Sequence, residues 1–170
     1  MSKVEIITLG TVRTMEIAAQ ASMLTLPRVV GKSYKAILAL LSQNNQKPAS
    51  APYIRYLDLD WDAVGKGGFF ARIGMLFHKW NMLIGFPVEP PLPGEGAIRP
   101  GTLPSGMFVQ MLHKGSYYKV GNAYKTMLAE IRENGLHPKN ESIELYLNDP
   151  ACTKTEDLET LVLIPLKQAP

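Results

Sequence analysis

Val30-Gly-Lys-Ser-Tyr-Lys-Ala-Ile-Leu-Ala39 and Val120-Gly-Asn-Ala-Tyr-Lys-Thr-Met-Leu-Ala129 are two versions of one segment, 90 residues apart without a gap. The match continues through Asn44 and Asn134, and Pro48 and Pro138, to Tyr56-Leu57 against Tyr146-Leu147. Average residue usage would give roughly two coincidences over such a window, so the chain reads as internally duplicated. The physical pattern repeats with the letters. Val30, Tyr34, Ile37, Leu38 and Leu41 recur at the period of a helix with one apolar face, and Val120, Tyr124, Met127, Leu128 and Ile131 do the same. Asn45 and Gly135, both tolerant of left-handed geometry, end the two helices.

Working outward, an extended stretch precedes each helix, from Arg13 to Met23 and from Met107 to His113. A proline turn follows each helix and leads into a strand, Tyr53 to Leu57 and Ile143 to Leu147. A second strand in each half ends alike, at Phe86-Pro87-Val88 and Ile164-Pro165-Leu166. There the spacing falls from 90 to 78, so the first half carries about a dozen extra residues between Asp60 and Trp80. Each half therefore reads strand–helix–strand–strand. The segment from Glu89 to Pro104 is too rich in proline and glycine for regular structure and reads as a crossover. The expected architecture is α+β: two pseudo-two-fold-related halves with antiparallel sheets and a ligand groove between them. Half one covers about 1–88, the crossover 89–105 and half two 106–168. A half of that size with one helix is marginal alone, so the halves are expected to share one structure.

Bulk properties exclude several classes. The chain has 170 residues, 46% of them hydrophobic, and a formal net charge of +3 without a basic stripe, which gives no footprint for nucleic acid. The single cysteine, Cys152, permits no internal disulfide and no cysteine metal cluster. Phe69 to Val88 is apolar, but it contains Arg72, His78, Lys79 and Asn81, which argues against a membrane span. The start of the chain has no apolar core of a secretory signal. The expectation is a soluble cytoplasmic protein without cofactor or metal. His78, His113 and His137 have no zinc-ligand spacing. Gly31-Lys32-Ser33 resembles the end of a phosphate-binding loop, but Leu26 stands where that loop needs glycine. No nucleophile elbow is present.

Side chains alternate across a strand. Ile143, Leu145 and Leu147 share one face, and this aliphatic set is expected to pack on the helix. Glu144 and Tyr146 then turn to the opposite face, where the other half must come. The equivalent positions in the first copy are Ile54, Tyr56 and Asp58. Two symmetry-related tyrosines and one carboxylate without a symmetric partner would suit a cationic or polarised aromatic ligand, through stacking, cation–π attraction and counter-charge. From alternation alone, a solvent-facing Glu144 is equally open, and ordinary core packing is the favoured reading of Tyr56 and Tyr146.

Val109-Gln-Met-Leu-His113-Lys-Gly115-Ser-Tyr117, then Ser142-Ile-Glu144-Leu-Tyr146-Leu-Asn-Asp149-Pro150, then Leu161-Val-Leu-Ile-Pro165 resembles the GyrI-like small-molecule-binding domains, which also serve as effector-binding domains of AraC-type and MerR-type multidrug regulators. The resemblance implies two SH2-like halves and a groove glutamate at Glu144 among aromatic residues. Tyr146, Tyr56, Ile54, Trp80, Trp61, Phe77, Met111 and Tyr118 complete the candidate ligand set. No DNA-reading helix-turn-helix precedes the first helix, so a stand-alone member with no direct nucleic-acid binding is expected. The extra residues between Asp60 and Trp80 read either as a lid or as padding outside the sheet. Three functions compete. The first is a receptor for a small lipophilic or cationic molecule. The second is a hydrolase of strained electrophiles, in which Glu144 activates water. The third is a protein inhibitor of the gyrase-inhibitor type, acting on a protein partner. Homodimerisation is also open.

Overall fold

The computed structural model describes residues 3–62 and 78–167. Among these residues, the strands and the two long α-helices follow in the order β1 (Val4–Leu9), β2 (Val12–Ala21), α1 (Leu26–Gln43), β3 (Tyr53–Leu57), β4 (Trp80–Pro87), β5 (Ile98–Leu103), β6 (Gly106–Lys114), α2 (Gly121–Glu133), β7 (Ser142–Tyr146) and β8 (Glu159–Pro165). All strands join one antiparallel sheet in the order β1-β6-β8-β7-β3-β4-β2-β5. That order is its own mirror once β1 is exchanged with β5, β6 with β2, β8 with β4 and β7 with β3. The duplication is thus a pseudo-two-fold whose axis passes between β3 and β7. The α+β architecture of two strand–helix–strand–strand halves is as expected, and the halves meet edge to edge through the β3–β7 ladder.

Local chemistry explains the helices. Pro27 occupies the first turn of α1, where its missing N–H costs nothing. Both helices stop as read: Asn45 has φ 53° and Gly135 φ 64°. Ile37, Leu40 and Leu41 of α1 pack on Met15, Phe86 and Ile98. Ala123, Met127 and Ile131 of α2 pack on Val109, Val162 and Ile164. No helix among the described residues is long and apolar enough to cross a membrane.

Two expectations need correction. The crossover is not free of regular structure: Ile98–Leu103 forms β5, which pairs with β2, and Val4–Leu9 forms β1, which pairs with β6. Antiparallel edge pairing tolerates Pro100 and Gly101 because an edge strand leaves half its backbone groups unpaired. The second correction concerns faces. Ile143 and Leu145 do not pack on the helix. They join Tyr53, Leu103, Phe108 and Leu163, with Ile7, Leu9 and Leu161, on the other side of the sheet. Strands β1 and β5 are opposite edges, yet Leu9 and Leu103 belong to that one cluster, so the sheet curls around it. The two-residue links Gly10-Thr11 and Pro104-Ser105 each carry the chain from one end of the sheet towards the other. Both faces are buried, so an aliphatic set does not by itself mark the helix side.

Candidate ligand-binding site

The strand pairing builds the site. Ile54 lies opposite Glu144, and Tyr56 lies opposite Ser142, across the junction between the halves. Side chains in register share a face, so β3 and β7 present Ile54, Tyr56, Ser142, Glu144 and Tyr146 together. That face is the one covered by the helices. Tyr124, on α2, reaches down to it: its hydroxyl donates to Glu144 Oε1 at 2.8 Å and lies 2.8 Å from Ser142 Oγ. Tyr146 donates to Glu144 Oε2 at 2.7 Å. From α1, Tyr34 packs in the cluster of Ile54, Met82, Ile84, Tyr56, Trp80 and Tyr146, and its hydroxyl donates to the Tyr53 carbonyl at 3.3 Å. Tyr117 closes the end beyond Tyr146, with ring centroids 5.4 Å apart and planes at 87°.

Glu144 is 6% exposed. Among the described residues no lysine or arginine pairs with it; the ion pairs there, Arg55–Glu141 and Lys114–Asp157, lie elsewhere. Burial therefore raises its pKa above the ordinary carboxylate value, against the opposing pull of the Tyr146 and Tyr124 hydroxyls and of His113. The tyrosines are shifted in the same sense. Burial, and then the charge of Glu144, hold Tyr56, Tyr124, Tyr146 and Tyr34 above the usual phenol range, so all four remain neutral. A neutral tyrosine donates one hydrogen bond and offers its ring face to a cation.

The residues expected from the sequence divide as follows. Glu144, Tyr146, Tyr56 and Ile54 come together at the junction. Trp80 joins the same cluster, its ring 5.4 Å from His78. Trp61 borders the Tyr124 side at 6.0 Å, and its indole donates to the Lys139 carbonyl at 2.7 Å. Met111 packs with Tyr124 against the α2 core. Tyr118 is 86% exposed on the turn before α2, away from the junction. Phe77 and most of the extra segment lie outside the described residues. Sequence reasoning passed over Tyr34 and Tyr124. Their signal is present, since they match each other in the repeat, but helical spacing alone makes them ordinary core positions.

The family model described as "GyrI-like small molecule binding domain" matches residues 3–167. A search of curated proteins found no match. Among solved structures, the C-terminal domain of EcmrR is similar at TM-score 0.70 and 15% identity, covering 99% of each chain. A hydrolase from Listeria innocua is similar at TM-score 0.65 and 14% identity, covering 97% of this chain and 92% of that one. SAV2435 bound to tetraphenylphosphonium is similar at TM-score 0.62 and 14% identity, covering 97% and 94%. At such identities these likenesses establish the fold.

Proposed function

The chain belongs to the GyrI-like small-molecule-binding domains, and from that premise we propose that its ligand is a lipophilic organic cation held at Glu144. One observation carries the reading: a buried carboxylate has tyrosine hydroxyls on both oxygens and no cationic side chain bonded to it among the described residues. A buried charge is costly unless paired. A cation entering beside Glu144 supplies the missing partner and draws on the faces of Tyr34, Tyr56 and Tyr146, each such contact contributing roughly 0.5–2 kcal/mol. The likeness in fold to SAV2435, whose structure holds tetraphenylphosphonium, supports this ligand class.

Calorimetric titration with tetraphenylphosphonium tests it. Wild type should bind, and Glu144→Gln, which keeps the shape and removes the charge, should bind about tenfold or more weakly. Equal affinity in the two proteins would end the reading.

A second reading rests on the raised pKa of Glu144. A carboxylate of raised basicity can take a proton from water, and a hydrolase shares this fold. Two tyrosine donors already engage the carboxylate, which favours counter-charge over base catalysis. A hydrated product of a strained electrophile such as an epoxide, formed by wild type and not by Glu144→Gln, would reverse that ranking.

A further inference from the structure

Thr160 lies on the face that carries Glu144. It is 0% exposed, and its Oγ1 meets neither donor nor acceptor among the described residues. In register it stands between Tyr146 on β7 and His113 on β6, so the three side chains form one row across the sheet. His113 is held by its Nε2, 3.0 Å from the Ser116 carbonyl. A carbonyl only accepts, so Nε2 carries a proton and donates it. Tyr117, from the turn between β6 and α2, stands against Tyr146 at the same end.

The duplication supplies an internal control. The two-fold that exchanges β7 with β3 and β8 with β4 sets Tyr56, Met82 and Ala19 against Tyr146, Thr160 and His113. In the first half the row is apolar beyond its tyrosine, and Met82 is buried among Ala21, Ile54 and Ile84. The same backbone position therefore accepts an apolar side chain in one copy and carries an unsatisfied hydroxyl in the other. Packing alone does not call for that hydroxyl, since a buried polar group without a partner opposes folding.

We infer that Thr160, beside His113, is a specificity-determining contact of the site: its hydroxyl hydrogen-bonds a polar substituent of the ligand. The preferred ligand is accordingly an asymmetric lipophilic cation, with bare hydrocarbon towards Met82 and Ala19 and a hydroxyl or similar group towards Thr160. This rests on the cation reading above and adds to it the orientation and chemistry of the second end.

The test uses two probes that differ by one hydroxyl, tetraphenylphosphonium and (3-hydroxyphenyl)triphenylphosphonium. Calorimetry on wild type, Thr160→Val, Thr160→Ser and Glu144→Gln measures both. Wild type should prefer the hydroxylated cation by about tenfold, the scale of one buried hydrogen bond. Thr160→Val should reduce that ratio to about one, and Thr160→Ser should keep most of it. Thr160→Val should also melt higher than wild type without ligand, because it removes an unpaired buried hydroxyl, and this verifies that the variant is folded. Three outcomes overturn the inference. A wild-type ratio near one, or a ratio that survives Thr160→Val, with tetraphenylphosphonium binding still dependent on Glu144, overturns it and leaves the cation reading standing. Failure of wild type to bind either cation overturns both.

Discussion

A carboxylate enclosed by tyrosines must either hold a proton or gain a cation. For Glu144 the folded-state pKa lies above the ordinary value of about 4.3. Between the unfolded and folded values, the folded protein keeps a proton that the unfolded chain has released. The stability this group contributes is therefore full below the unfolded pKa and is lost as pH rises through the folded pKa. The ligand-free protein should lose melting temperature relative to Glu144→Gln as pH is raised from 4 to 8; parallel profiles would show that Glu144 is not shifted. Cation binding has the opposite dependence, because it needs the carboxylate. Affinity for tetraphenylphosphonium should rise with pH, by up to about tenfold per unit while the free site remains protonated, and then level. Tyr146→Phe removes a donor to the charged form, so the plateau should shift to higher pH and affinity at neutral pH should fall severalfold. Glu144 was singled out in the sequence by the family resemblance, whereas its parity alone left a solvent-facing residue equally open and set it on the face away from the helices. The Tyr124 hydroxyl that bonds it was not, because Tyr124 lies twenty residues earlier on a helix whose covering face only packing decides.

Strand β4 shows how elements constrain one another. Gly85 lies between Glu16 on β2 and Tyr53 on β3, and the Tyr53 hydroxyl crosses above it to donate to the Glu16 carboxylate. A Cβ on Gly85 would stand 2.5 Å from the Met15 carbonyl oxygen and 2.9 Å from the Tyr53 hydroxyl. The carbonyl belongs to the sheet and cannot yield cheaply. Gly85→Ala should therefore destabilise the protein by about 1–3 kcal/mol, measured by denaturant titration, and a neutral substitution would show that the strands can separate there. The helices make a paired prediction. Ile37 and Met127 are repeat equivalents, both wholly buried, each the centre of its helix's contact with the sheet. Truncating either to alanine should cost about 2–5 kcal/mol. The helices and the inner strands were legible because periodicity and the proline turns are local. Strands β1 and β5 were missed because edge strands carry weak patterns and are defined by the neighbour they pair with.

At the scale of the molecule, the β3–β7 ladder makes the two halves one body. Arg55 on β3 binds Glu141, just before β7, at 2.6 Å, with the two side chains 19% and 13% exposed. This pair spans the halves, so Glu141→Ala should weaken the whole fold by about 1–3 kcal/mol, between the values for exposed and fully buried pairs. Unfolding should follow one cooperative transition with coincident fluorescence and far-ultraviolet circular dichroism curves. Two separated transitions would mean that the halves are independent domains joined by a linker. The shared sheet also explains where the site lies. A carboxylate on β7 can meet tyrosines from both helices only where the pseudo-two-fold brings the two inner strands side by side.

The sequence by itself determined the duplication, the position and ends of both helices, the inner strands, the family resemblance and the candidacy of Glu144. The duplication, helices and inner strands are written in short-range spacing or in a ninety-residue self-match, and the candidacy of Glu144 comes from the resemblance; none of these needs coordinates. Only the tertiary structure decided which face of the sheet the helices cover, that eight strands form one curled sheet, and that Tyr34, Tyr124 and Thr160 share a face with Glu144. The physical reason is that a sheet buried on both sides has no polar face to read. Which apolar set meets the helices is then settled by how the strands pair and curl, and those contacts join residues far apart in the chain.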